Sequence, residues 1–126
     1  MTRDNGIYWN PILETMDRER LRILQFKKFK RIFEWAYANS PFYKRLYKDA
    51  GIEPGDIKTY EDIKKVPKVD KGMLRETQSK EPFPYGDMLS VPLAEVTEFR
   101  QTSGTTGTPV YQADTWQDWE WWSECW

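Results

Sequence analysis

The sequence predicts an α/β chain: a helical N-terminal region over residues 1–92, then one strand, a glycine-rich loop and a closing helix over residues 93–126. Three observations carry this. Apolar residues recur at helical spacing from Asp17 onward. Caps and breakers at Asp17, Ser40-Pro41, Gly51, Thr59 and Asp70 divide that half into short helices. A β-forming run over 95–102 then leads straight into Thr102-Ser103-Gly104-Thr105-Thr106-Gly107-Thr108-Pro109.

Residues 1–16 read as irregular, with Gly6, Asn10 and Pro11 as breakers and Tyr8 and Trp9 as anchors. Leu21, Leu24, Ile32, Phe33 and Ala36 then define a helix from an Asp17 N-cap to about Asn39. Ser40 suits a cap and Pro41 the first helical position, so a second helix carries Phe42, Tyr43, Leu46 and Tyr47 and stops at Gly51. Thr59 with Asp62 has the spacing of a capping box for a short helix ended by Pro67. Asp70 caps a further helix over about 71–78, and Pro82, Pro84, Gly86 and Pro92 make 80–92 a loop. Val96, Thr97, Phe99 and Thr102 favour the strand, and Thr115 with Asp118 repeats the capping-box spacing ahead of a closing helix over 115–126.

Composition excludes several functions. Nineteen basic and twenty acidic residues leave a net charge of -1, which does not mark nucleic acid or an anionic membrane as partner. The chain contains no His, so a Ser-His or Cys-His pair and a His-based metal site are ruled out within it. Its single Cys125 forms no disulfide framework and reads as a buried apolar residue. Aromatic content of 16%, with seven Trp, argues against a disordered chain. The start lacks a signal-peptide core and no apolar run is long enough to span a bilayer, so a soluble cytoplasmic location is expected.

Residues 102–109 are where chemistry concentrates. Gly104 and Gly107 allow positive φ and close approach to a ligand. Thr102, Ser103, Thr105, Thr106 and Thr108 add hydroxyls, and successive backbone N–H groups can form an anion-binding nest. The stretch is neither a Walker A loop, for which it lacks the lysine, nor G-x-G-x-x-G. Composition alone leaves two readings open, a solvated turn and a phosphate site.

The full string Thr102-Ser103-Gly104-Thr105-Thr106-Gly107-Thr108-Pro109 resembles the phosphate-binding loop of the adenylate-forming acyl-CoA and aryl-CoA ligases. Fatty-acid-type members carry Lys after the Pro; Val110 here is similar to the phenylacetate-CoA ligase branch. YWNPILETMDRERLRILQ (8–25), SPFYKRLYKDAGIEPGDIKTYEDIKKVPKVDKGMLRE (40–76) and PFPYGDMLSVPLAEV (82–96) resemble that branch in the same order. The resemblance implies the N-terminal part of an AMP-forming ligase that converts phenylacetate, or a related arylacetic acid, with ATP and coenzyme A into the acyl-CoA, AMP and diphosphate, assisted by Mg²⁺. It implies that 93–126 begin the ATP/AMP-binding α/β subdomain of the large adenylate-forming domain. It assigns cofactor binding to Thr102, Ser103, Gly104, Thr105, Thr106 and Gly107, around the β- and γ-phosphates, with no catalytic or metal residue in this chain. Thr108 stands where many members of the branch have Lys. Members are roughly three times longer, so the chain alone is expected to be inactive and to need a C-terminal portion or a partner chain. The alternatives are a non-catalytic nucleotide-binding or interaction subunit of a split ligase and a related deazaflavin-adenylylating synthetase.

Other residues receive structural readings. Trp119, Trp122 and Trp126 fall on one helical sector flanked by Trp116, as a core stripe or a partner surface. Lys27, Lys28, Lys30 and Arg31 read as a solvated face, with a coenzyme A phosphate contact as the sharper alternative. Tyr8, Trp9, Phe42, Tyr43 and Tyr47 could form an aromatic substrate pocket but read as packing between N-terminal helices or at a homodimer contact, and Glu53, Asp56, Glu61 and Asp62 read as helix-start and surface charges.

Overall fold

A computed structural model describes residues 6–104 and 107–125 of the chain. The caps read from the sequence set the helices. In α2 (Arg18–Asn39) the Asp17 carboxylate accepts from the Glu19 and Arg20 amides, answering donors that a helix start leaves unpaired. Ser40 ends α2 and caps α3 (Pro41–Asp49), whose Tyr43 amide donates to its hydroxyl. Gly51 follows with φ 68, a left-handed conformation that suits a glycine after a helix. Asp70 caps α4 (Lys71–Gln78) through the Met73 amide.

Two segments of the helical half differ from the sequence reading. Within 1–16 a one-turn helix, α1 (Pro11–Glu14), forms because Asn10 accepts from the Leu13 amide while Glu14 accepts from that of Asn10. The Thr59–Asp62 capping box is present, but it opens a 3₁₀ turn over Tyr60–Lys65. The second box, Glu53 with Asp56, opens a 3₁₀ turn over Pro54–Asp56.

The core lies where α3 packs on α2. Phe33, Tyr47, Ile52 and Ile57 are buried, with Phe26, Phe29, Tyr43, Leu46 and Val66 around them. The Phe33 and Tyr47 rings stand 4.5 Å apart. Burial of each such side chain contributes about 1.5–3 kcal/mol. It also pushes the Tyr47 hydroxyl up to about 12, since the tyrosinate would be desolvated; the neighbouring Tyr43 adds a smaller effect in the same direction.

The segment between α4 and the sheet is irregular apart from a 3₁₀ turn over Leu93–Glu95, yet it is pinned at many points. Arg45 Nη1 donates to Asp87 Oδ2 at 2.6 Å, Thr77 donates to the other carboxylate oxygen, and Ser40 Oγ donates to the Met88 carbonyl at 2.8 Å. The Arg45 contact holds the Asp87 carboxyl below its ordinary value. At Gly86 a Cβ would stand 2.0 Å from the Thr77 carbonyl oxygen, so only glycine fits there.

Strand β1 (Val96–Gln101) forms within the expected run. The single strand of the sequence reading is corrected by β2 (Tyr111–Thr115), which pairs antiparallel with β1 and places Phe99 opposite Ala113 and Gln101 opposite Tyr111. Gln112, Ala113 and Asp114 are poor β-formers; pairing with β1, rather than propensity, makes them a strand. Arg100 Nε donates to Asp114 Oδ2 at 2.9 Å across the pair. Helix α5 (Trp116–Ser123) follows, with Thr115 and Asp118 in the expected capping box.

Along α5 Trp119 is partly covered, and the Arg100 guanidinium lies over both Trp119 and Trp122, 5.3 and 5.5 Å from the ring centres. Trp116, Trp121 and Trp122 are exposed, which favours the surface reading of the stripe over the core reading. Trp126 lies outside the described residues. Cys125 is exposed, contrary to its expected burial, because it sits beyond the last turn of α5. Tyr8 and Trp9 are also exposed, whereas Phe42 and Tyr47 are buried.

Candidate phosphate-binding loop

The pairing of β1 with β2 makes the glycine-rich stretch a loop between antiparallel strands. Its mouth is closed by two bonds. The Thr102 amide donates to the Val110 carbonyl at 3.0 Å, and the Val110 amide donates to Thr102 Oγ1 at 3.0 Å. The Thr102 oxygen therefore latches the loop as an acceptor, leaving its proton free to donate outward. Val110 beneath it is buried.

Inside the loop the Gly107 amide donates to the Gly104 carbonyl at 2.9 Å, forming a tight turn. Gly104 has φ 66 and Gly107 φ 138. A Cβ on Gly104 would meet the Gly107 carbonyl oxygen at 2.8 Å and the Pro109 ring at 3.1 Å, so the turn requires glycine on both conformational and steric grounds. Ser103 is exposed and Gly104 partly covered. Thr105 and Thr106 lie outside the described residues.

Helix α4 is the platform for this loop, and sequence reasoning did not assign it that role. Arg75 Nε donates to the Thr108 carbonyl at 2.7 Å. Three residues on, the buried Gln78 amide grips the start of β2: its Nε2 donates to the Tyr111 carbonyl at 2.7 Å and its Oε1 accepts from the Tyr111 amide at 2.9 Å. Arg75 and Gln78 are spaced to share a helix face. That spacing is the only sequence signal, since both partners lie 33 residues away.

The remaining candidates are plainer. Lys27, Lys28 and Arg31 are exposed and Lys30 is half-buried; Lys28 Nζ sits 4.1 Å from the Trp121 ring centre. Asp62 serves the Thr59 cap and pairs with Lys65 at 2.7 Å; that pairing first, then the Thr59 amide, holds its carboxyl well below the usual range. The cleft between α3 and α4, lined by Phe42, Arg45, Leu46, Met73, Glu76 and Lys80, mixes charges of both signs and does not reach the loop. Among the described residues no three His, Cys, Asp or Glu side chains converge to hold a metal ion, and no helix is long and apolar enough to cross a membrane.

No family model matches the chain. It is 36% identical over 102 residues to a phenylacetate-coenzyme A ligase of Thermus thermophilus, covering 81% of this chain and 22% of that protein. Phenylacetate-coenzyme A ligases of Aromatoleum evansii and Escherichia coli are 33% and 32% identical over 111 residues, covering 88% of this chain and 24% of theirs. The chain thus spans about a quarter of the length of the curated relatives it matches. Among solved structures, a 2-hydroxyisobutyryl-CoA ligase in complex with 2-HIB-AMP and CoA superposes with a TM-score of 0.81 at 36% identity, over 89% of this chain and 24% of that one. The same ligase in its postadenylation state superposes with a TM-score of 0.83 at 32% identity, over 94% of this chain.

Proposed function

We propose, for a chain that is an N-terminal portion of the phenylacetate-CoA ligase-like adenylate-forming enzymes, that residues 102–109 hold the β- and γ-phosphates of ATP while a carboxylate attacks the α-phosphorus. The observation that carries this reading is the loop's geometry. Two glycines in positive φ fold it back between paired strands, and the Gly104 turn leaves no space for a side chain.

In this reading Thr102, Ser103, Thr105 and Thr106 donate hydroxyl hydrogen bonds to phosphate oxygens, and Gly104 and Gly107 keep the backbone close. The contribution is positioning and electrostatic stabilisation, so a chain without His is suited to it. Residues 93–126 form the start of the nucleotide-binding subdomain and 1–92 the helical region that supports it. The acid is phenylacetate or a related arylacetic acid, the acyl acceptor is coenzyme A, and the setting is the cytoplasm. Mg²⁺ would neutralise the ATP phosphates. No metal-binding cluster is formed among the described residues, and the loop acts through its own N–H and O–H groups. The rest of the relatives' length supplies the acid pocket and adenine contacts.

The test places Thr105→Ala with Thr106→Ala in a ligase of the relatives' full length carrying this segment. Acyl-adenylate formation is expected to fall at least about 10²-fold, as on losing donors aimed at developing charge. Unchanged adenylate formation would remove the phosphate role. The 126-residue chain by itself, given ATP, Mg²⁺, phenylacetate and coenzyme A, is expected to release no AMP.

A further inference from the structure

The loop carries no Lys or Arg anywhere between Thr102 and Val110. A polyphosphate held there would otherwise meet only neutral donors. The structure brings one cation against it from another element. Arg75 of α4 donates through Nε to the Thr108 carbonyl, and its guanidinium lies flat beside Gly107, with Cζ and Nη2 3.7 Å from where a Cβ on that glycine would stand. Among the described residues no carboxylate lies within ion-pair distance of Arg75. Its Nη2 is sealed from solvent and donates to no described group. A charged nitrogen left so costs stability, unless an acceptor belongs there in the functional state.

Resting on the reading of the loop as a polyphosphate site, we propose that Arg75 is the positioning residue and the source of positive charge for that loop. The Nε–H edge of the guanidinium fixes the Thr108 end of the backbone. The other donor nitrogen directs its field, and on ligand entry a hydrogen bond, to a phosphate oxygen. This contact between helix and loop supplies from outside the loop the cation that the loop sequence lacks. A Cβ on Gly107 would stand in ordinary van der Waals contact with the guanidinium, so glycine is required there by its φ of 138 and not by lack of space.

The experiment titrates inorganic tripolyphosphate into the 126-residue chain and follows the backbone amide resonances of Gly104 and Gly107. It compares wild type, Arg75→Lys and Arg75→Met. A charge-assisted contact predicts that Arg75→Met weakens binding about tenfold or more, and that Arg75→Lys recovers part of the loss. The Val110 and Tyr111 amides of the free proteins should keep their wild-type shifts, since Gln78 and Thr102 still hold them. Arg75→Met binding within about twofold of wild type would overturn the proposal and leave the phosphate reading standing. Equal loss in both variants, with displaced Val110 and Tyr111 resonances, would reduce Arg75 to a structural clamp and also overturn it. Wild type showing no binding would remove both the proposal and the reading beneath it.

Discussion

At the residue scale, Gly104 shows most clearly what the loop demands. Its φ of 66 is a conformation that costs an L-residue about 1–2 kcal/mol. The added contact with the Gly107 carbonyl is to backbone, which cannot swing aside. Gly104→Ala is therefore expected to loosen the loop mouth and speed hydrogen exchange of the Val110 amide roughly tenfold; unchanged protection would show that the turn tolerates a side chain. Tyr47 gives a pH prediction. Its hydroxyl is raised to about 12 by burial, so the folded state holds its proton more tightly than the unfolded state, which ionises near 10. The associated stability is fully present below pH 10 and is lost as pH rises toward 12. Tyr37, Tyr43 and Tyr85 are raised as well, so tyrosinate absorbance should show several late-titrating tyrosines, and Tyr47→Phe should remove one of the late steps and flatten the alkaline loss of stability. A wild-type profile identical to that of the variant would contradict this.

At the scale of elements, the caps made the helices legible. Asp17, Ser40, Asp70 and Thr115 each sit where their side chains answer a helix start, and α2 to α5 begin within a residue of where those caps place them. Strand β2 was not legible, because Gln112, Ala113 and Asp114 become extended only through pairing with β1 and through the grip of Gln78 on Tyr111. The string 102–109 was visible as a candidate site, but its support was not: nothing local in sequence ties Arg75 or Gln78 to residues 33 positions away. Gln78 is 4% exposed and satisfies two backbone groups of β2. Gln78→Leu leaves both without a partner and should cost about 2 kcal/mol or more, seen as a lower urea midpoint at unchanged slope. A change below about 0.5 kcal/mol, the scale of ordinary surface substitutions, would mean that the hairpin does not depend on α4.

At the scale of the whole molecule, the aromatic surface and the loop lie on connected elements. Trp116 is 68% exposed and Trp121 54%, while Arg100 on β1 shields Trp119 and Trp122 from one side. In the proposed assembly that surface meets the remainder of a ligase about four times this length, in keeping with the 22–24% of the relatives that the chain covers. The buried core of α2 and α3 is built without these tryptophans. The central claim is that residues 102–109 recognise the polyphosphate tail of ATP. Titrating ATP and, separately, AMP into the 126-residue chain while following the Gly104 and Gly107 amides tests it most directly. The account predicts saturable shifts with ATP and none at matched concentrations of AMP, whereas equal responses to both nucleotides, or none to ATP, would contradict it.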